Sequence, residues 1–229
     1  MSWYVRPVPA RRTAPDASRR SERSRIAILT AAFELAGKVG YARLSIEGIA
    51  ARAGVGKQTI YRWWPSKGAV LFDAFLLRAE AIGPRPLPDT GDLEADLKKV
   101  LRAAVIELND PRYDEPLRAL NTEILHDPEL ATAYADRLEG PVREVRKKRL
   151  RKAQRTGQLP KDLDLDIAVE LLWGPLTSRW LQRSGPLTTT YADTVVRTVL
   201  NGLRGPAPAR RTPKRSRGTA VATPSTARR

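Results

Sequence analysis

The 229-residue sequence predicts an all-α fold, with a small N-terminal helical unit, a larger helical body and disordered basic tails. Three observations carry that expectation. Apolar residues recur at the 3.6-residue spacing of amphipathic helices. No alternating strand pattern of useful length interrupts them. Gly, Pro and capping residues punctuate the chain at helical intervals.

Taken in order, a first helix is expected over residues 22–39, with Ile28, Ala32, Leu35 and Ala36 on one face and Gly40 as its left-handed stop. Ser45 caps a second, short helix through Ala53. Gly54 and Gly56 bracket Val55 in a tight turn, and a third helix runs over 57–64 until Pro65. Ser66 caps a fourth, to about Ala81. The stretch GPRPLPD at 83–89 reads as a hinge. Longer helices follow near 92–109, 115–125, 128–156, 165–184 and 188–204, and those holding Gly140-Pro141 and Gly174-Pro175 should kink, because proline removes a backbone donor and presses on the preceding turn.

Charge divides the chain in a similar way. The formal +16 resolves into +5 over residues 1–25, +4 over 26–68, zero over 69–204 and +7 over 205–229. A neutral body joined to basic parts fits a polyanion partner better than it fits solubility alone. There is no cysteine, and His126 is the only histidine. Thiolate metal sites, disulfides and most catalytic triads are therefore excluded, and neither a cofactor nor a metal is expected. With no apolar run of roughly 18 residues and no signal-peptide core, no membrane partner is expected and a cytoplasmic protein is the default.

The segment SIEGIAARAGVGKQTIYRWWPSK, residues 45–67, concentrates the chemistry. Two short helices about a glycine turn have the spacing of a helix-turn-helix. Ile46, Ile49 and Ala50 would pack against Val55 and Ile60, leaving Lys57, Gln58, Thr59, Tyr61 and Arg62 outside. A helix presented so can enter a major groove about 12 Å wide, where base edges offer distinguishable donors and acceptors. GVGKQT at 54–59 lacks the four-residue gap of a phosphate loop. The alternating acids of DLDLD at 162–166 suit a helix start better than a cation site.

Residues 24–72 resemble the DNA-binding unit of the tetracycline-repressor (TetR) family, and DLDIAVELLWGPLTSRWLQRSGPL with the closing VVRTVLNGL resembles more weakly the last two helices of one branch of it. The resemblance implies that Lys57, Gln58 and Thr59 face bases or flanking phosphates. It implies that Tyr61 meets the DNA backbone, that Trp63 and Lys67 reach phosphate, and that Ser45 both caps its helix and donates to a phosphate. Trp64 falls at a buried aromatic position. Two departures stand out: Gly48 replaces the acid of a capping box, and Glu47 occupies a place where some members put a base reader.

In the body, Leu172, Leu176 and Trp180 repeat along one helix and Tyr191, Val195, Val199 and Leu203 along the next. Such broad stripes suggest a homodimer, and the resemblance places them in a four-helix bundle across a two-fold axis, which suits a palindromic operator. It also implies a small-molecule effector between the middle helices, with Tyr113, Leu120, Ile124, Tyr134 and Trp173 as candidate lining residues. The expected organisation is a basic arm at 1–21, a DNA-binding unit at 22–83, a helical effector-binding and dimerisation body at 84–204 and a basic tail at 205–229. The expected function is a sequence-specific regulator, a repressor released from operator DNA by its effector. A sequence-nonspecific nucleoid protein is the alternative, and an enzyme is not expected because no catalytic constellation is present.

Overall fold

The computed structural model describes residues 15–82 and 86–204, and these form ten α-helices with no strand among them. The expected tails, most of the N-terminal arm and the first hinge residues lie outside the described residues. Helix α1, Pro15–Val39, begins earlier than the expected residue 22. The chain there is rich in helix formers, and Arg25 pairs with Glu22 at 3.1 Å. Gly40 ends α1 at φ 73°, though its ψ of 163° lies outside the left-handed helical well. A single 3₁₀ turn, Tyr41–Arg43, leads to α2, Ile46–Ala53, which Gly54 stops in the left-handed conformation.

Helix α3 is Lys57–Tyr61, shorter than expected, although the Trp64 amide still reaches the Ile60 carbonyl at 2.9 Å. Helix α4 is Lys67–Ile82, with Ser66 Oγ accepting from the Ala69 amide. In the body, α5 is Leu93–Leu108, α6 Pro111–His126, α7 Pro128–Tyr134, α8 Gly140–Arg155, α9 Leu165–Gln182 and α10 Thr189–Arg204. Asp92, Asp110, Asp127 and Asp164 each accept a first-turn amide and cap α5, α6, α7 and α9. Asp110 caps α6 and Pro111 opens it, so this helix starts four residues before the expected 115. None of the described helices is long and apolar enough to cross a membrane.

The two Gly-Pro steps behave differently. Before Gly140-Pro141 the chain takes a π turn, Ala135–Glu139, that joins α7 to α8. The wider turn absorbs the missing proline donor, and a β-carbon at Gly140 would stand 2.9 Å from the Ala135 carbonyl oxygen. Pro175, in contrast, sits inside α9, which stays helical to Gln182.

Two apolar cores form, and they do not divide at the hinge. The first joins α1–α4 to Ala119 and Leu120 of α6 and Leu130 of α7. The second gathers α5, α8, α9 and α10 around Leu97, Leu101, Leu150, Leu172, Trp173 and Leu200. Helix α6 is the element shared between them, since Leu117 packs on both. It approaches α1 closely, with the Arg112 carbonyl 3.5 Å from where a β-carbon on Gly37 would be.

The second half of the expected hinge is fastened down. Arg149 of α8, buried, donates from Nε to the Pro88 carbonyl at 2.9 Å and from Nη2 to Asp96 at 2.8 Å. Asp96 also accepts from the amide and hydroxyl of Thr90, at 3.0 and 2.9 Å. Burial pushes the Asp96 carboxyl up, but these hydrogen bonds outweigh it and hold the carboxyl below its ordinary range. Residues 88–90 are thus bound to the body.

Candidate nucleic-acid interface

The surface carrying α3 is built from its buried side outward. Ile46, Ile49, Ala50 and Ile60 are buried, with Val55 packed against them. Ser45 Oγ accepts from the Gly48 amide at 3.0 Å, which makes it the N-cap of α2 and leaves its hydroxyl proton free to donate elsewhere. Trp64 is buried and donates from Nε1 to Asp73 at 2.9 Å, anchoring the end of α3 to α4. The ring of Trp63 meets it edge-on at 5.3 Å and is half-buried, with the Arg62 guanidinium 5.4 Å from the Trp63 ring centre. Two successive tryptophans thus lock one face of α3 while the opposite face stays in solvent.

That open face carries Lys57, Gln58, Tyr61 and Arg62, all exposed, with Thr59 half-buried beside them. Lys57 Nζ lies 3.8 Å from Glu47 of α2. Arg52 is turned away, its Nε bonded to Glu34 of α1 at 2.9 Å.

Lys67 departs from the expectation of a phosphate contact. Its ammonium donates to the Tyr41 and Leu44 carbonyls at 3.3 and 3.2 Å and sits 4.0 Å from the Tyr41 ring centre. The Tyr41 carbonyl also accepts from the Leu44 amide at 3.1 Å, which closes the 3₁₀ turn, so the Lys67 ammonium adds a second bond to that oxygen. Tyr41 is itself half-buried, and burial, with the Glu123 carboxylate nearby, raises its hydroxyl well above the usual tyrosine range.

The five expected effector-lining residues divide between the two cores. Leu120 is buried in the first core with Ile124 and Tyr134 packed there, whereas Trp173 lies in the second core under the Arg146 guanidinium, 4.6 Å from its ring centre. Tyr113 differs: its ring meets Phe75 edge-on at 5.6 Å and borders a cleft of about 580 Å³ between α1–α4 and the body. Phe33, Glu34, Arg52, Arg78 and Arg112 complete most of its wall. Burial, then the Glu107 charge, raises the Tyr113 hydroxyl.

The expected dimer stripe also needs correction. Leu172, Leu176, Trp180 and Val195 are buried within one protomer, so they have almost no surface left for a partner. Tyr191, Val199 and Leu203 are half-buried. The outward face of α9 is instead Ile167, Leu171, Gly174, Ser178 and Leu181, spaced as a heptad seam, with the three large apolar side chains 53%, 44% and 38% exposed. The larger Leu and Trp residues on the other side of α9 masked this weaker pattern. Sequence reasoning also missed the tie between α6 and α9, in which Trp180 Nε1 donates to Asp114 at 2.5 Å while Arg118 bonds Asp114 at 2.8 Å and the Leu181 carbonyl at 3.0 Å.

A short helix, clamped on its apolar side and presenting amide, phenol and cationic groups on the other, beside a capped partner helix, defines a helix-turn-helix DNA-binding regulator. Comparison with known proteins gives the family. Residues 28–74 match the model of bacterial regulatory proteins of the tetR family, and residues 87–199 match a tetracycline-repressor-like C-terminal domain. The chain is 32% identical over 186 residues to the HTH-type transcriptional regulator YdeS of Bacillus subtilis, covering 81% of this chain and 92% of that one. It is 31% identical over 184 residues to the DNA-binding transcriptional repressor TetR of Mycobacteroides abscessus, covering 79% and 94%. The crystal structure of the TetR family transcription regulator SCO0332 superposes with a TM-score of 0.63 at 35% identity, over 78% of this chain and 97% of that one. The chain belongs to the TetR family of transcriptional regulators.

Proposed function

We propose that this regulator works as a cytoplasmic homodimer that binds a palindromic operator through α3 and is released by a small molecule held away from the DNA. One observation carries the DNA reading: Lys57, Gln58, Tyr61 and Arg62 stand in solvent on a helix whose other face is fixed by Ile60 and Trp64. Gln58 would read a base edge, and Tyr61, Arg62 and the Ser45 hydroxyl would meet phosphates. Thr59 and Trp63, each half-buried, would contribute at the edge of the contact. The relative named as a repressor supports repression as the sign of control.

The outward seam of α9 supports the dimer, since Ile167, Leu171 and Leu181 on two copies would bury each other and pair two α3 helices for a two-fold site. An effector reading is supported by α6, which packs on α1 and α4 and is tied to α9 through Asp114 and Trp180. The cleft beside Tyr113 is of small-molecule size and lies between the two units, so a ligand there would act on their relative position.

Selection of bound sequences from a random double-stranded DNA pool tests this reading. A palindromic consensus that outcompetes random DNA is expected. Uniform binding to every sequence would point to the nonspecific nucleoid role instead.

A further inference from the structure

Glu47 is the only acidic residue in the segment 45–67, and it stands exposed on the surface that carries α3. A carboxylate there is repelled by phosphates, so it weakens any nonspecific contact with DNA. Among the described residues its close cation is Lys57, the first residue of α3, whose Nζ lies 3.8 Å from Oε1. Both side chains are more than half exposed, so the pair adds little to the stability of the fold.

We infer that Glu47 and Lys57 act together as a reader of one C·G base pair in each half-site. This rests on the operator-binding reading above. In the major groove cytosine offers its N4 amine as a donor, and guanine offers O6 and N7 as adjacent acceptors. Cytosine N4 and guanine O6 are hydrogen-bonded to each other within the pair, so their outer edges are neighbours. A carboxylate and an ammonium 3.8 Å apart span those edges, with Glu47 accepting from N4 and Lys57 donating to O6 and N7. Each charge then keeps its opposite partner beside it while it touches the base. Reversal of the base pair would set the carboxylate against O6 and N7, and the ammonium against an amine. The acid that opposes nonspecific binding thereby becomes selective for one base pair.

The test uses the full-length chain and repeats the selection from random DNA with Glu47→Ala and Glu47→Gln. The wild type should select a C·G pair at one position of each half-site. Glu47→Ala should lose preference there, with the roughly tenfold or greater discrimination falling towards none, and should keep the rest of the consensus. Its affinity for random DNA should hold or rise, since a negative charge has gone. Glu47→Gln should move the preference towards A, because a carboxamide pairs with adenine N6 and N7. An unchanged consensus in Glu47→Ala, or a preference for T·A at the affected position in the wild type, overturns the assignment and leaves operator binding intact. Failure of the wild type to select any consensus overturns operator reading as a whole.

Discussion

Glu123 of α6 closes directly over Gly68 of α4: a β-carbon at residue 68 would stand 2.5 Å from Oε2 and 2.9 Å from Cγ. A side chain at residue 68 would therefore have to displace the Glu123 side chain from this position. Gly68→Ala in a helical first turn would ordinarily be neutral or stabilising. Here it should cost about 1–3 kcal/mol in urea unfolding, through overpacking. In a Glu123→Ala background the same change should cost almost nothing. An unconditional gain in stability would show that α4 and α6 do not meet this closely.

The Arg149–Asp96 pair should behave as a buried ion pair. Replacing Arg149 by Leu leaves the Asp96 carboxylate buried with only Thr90 as donor, and should destabilise the chain by about 3–5 kcal/mol. The folded carboxyl sits below its usual range, so its contribution is present above about pH 4 and is lost as pH falls through the folded value. Asp96→Asn should therefore remove part of the acid dependence of stability below about pH 4, measured by denaturant titration across pH. An identical acid limb in wild type and variant would show that the pair is not formed.

Two substitutions separate the outward face of the last two helices from the inward one. Leu171→Asp places a charge on the exposed seam and should yield a folded monomer by sedimentation and circular dichroism. Val195→Asp places one in the second core and should unfold the chain instead. If Val195→Asp dissociates a folded protein while Leu171→Asp leaves the dimer whole, the dimer uses the other face.

Lys67 and Arg62 should differ in the salt dependence of DNA binding. Arg62→Ala should reduce the slope of log affinity against log salt by about 0.9, the loss of one phosphate contact. Lys67→Met should leave that slope unchanged and lower thermal stability, because the ammonium already serves the Tyr41 and Leu44 carbonyls. A slope change for Lys67→Met would restore it to the DNA contact.

Much of the fold was legible because its signals are local. Ser45, Gly54 and the apolar spacing of Ile46, Ile49 and Ile60 determine the helix-turn-helix without distant partners, and the exposed positions of α3 follow from that spacing. What sequence could not supply depends on which helix lies beside which. Lys67 reads as an available cation until the 3₁₀ turn is placed next to it. Leu172 reads as a partner's surface until the second core closes around it, and Trp180 does so until Asp114 and Arg118 of α6 meet it. Pro141 reads as a kink, whereas a π turn of five residues before it accommodates it locally. The link through α6 joins residues far apart in the chain, Gly68 to Glu123 and Asp114 to Trp180, and no spacing rule announces such pairs.

The central claim is that α3 reads sequence, and Gln58 tests it most directly because it is exposed and uncharged on α3. The measurement is the affinity of wild type and Gln58→Ala for the selected operator and for random DNA at one fixed salt concentration. A bidentate contact to a base should cost the variant about 1–3 kcal/mol on the operator and leave random DNA almost unaffected. Equal losses on both, or none on either, would contradict recognition through this face.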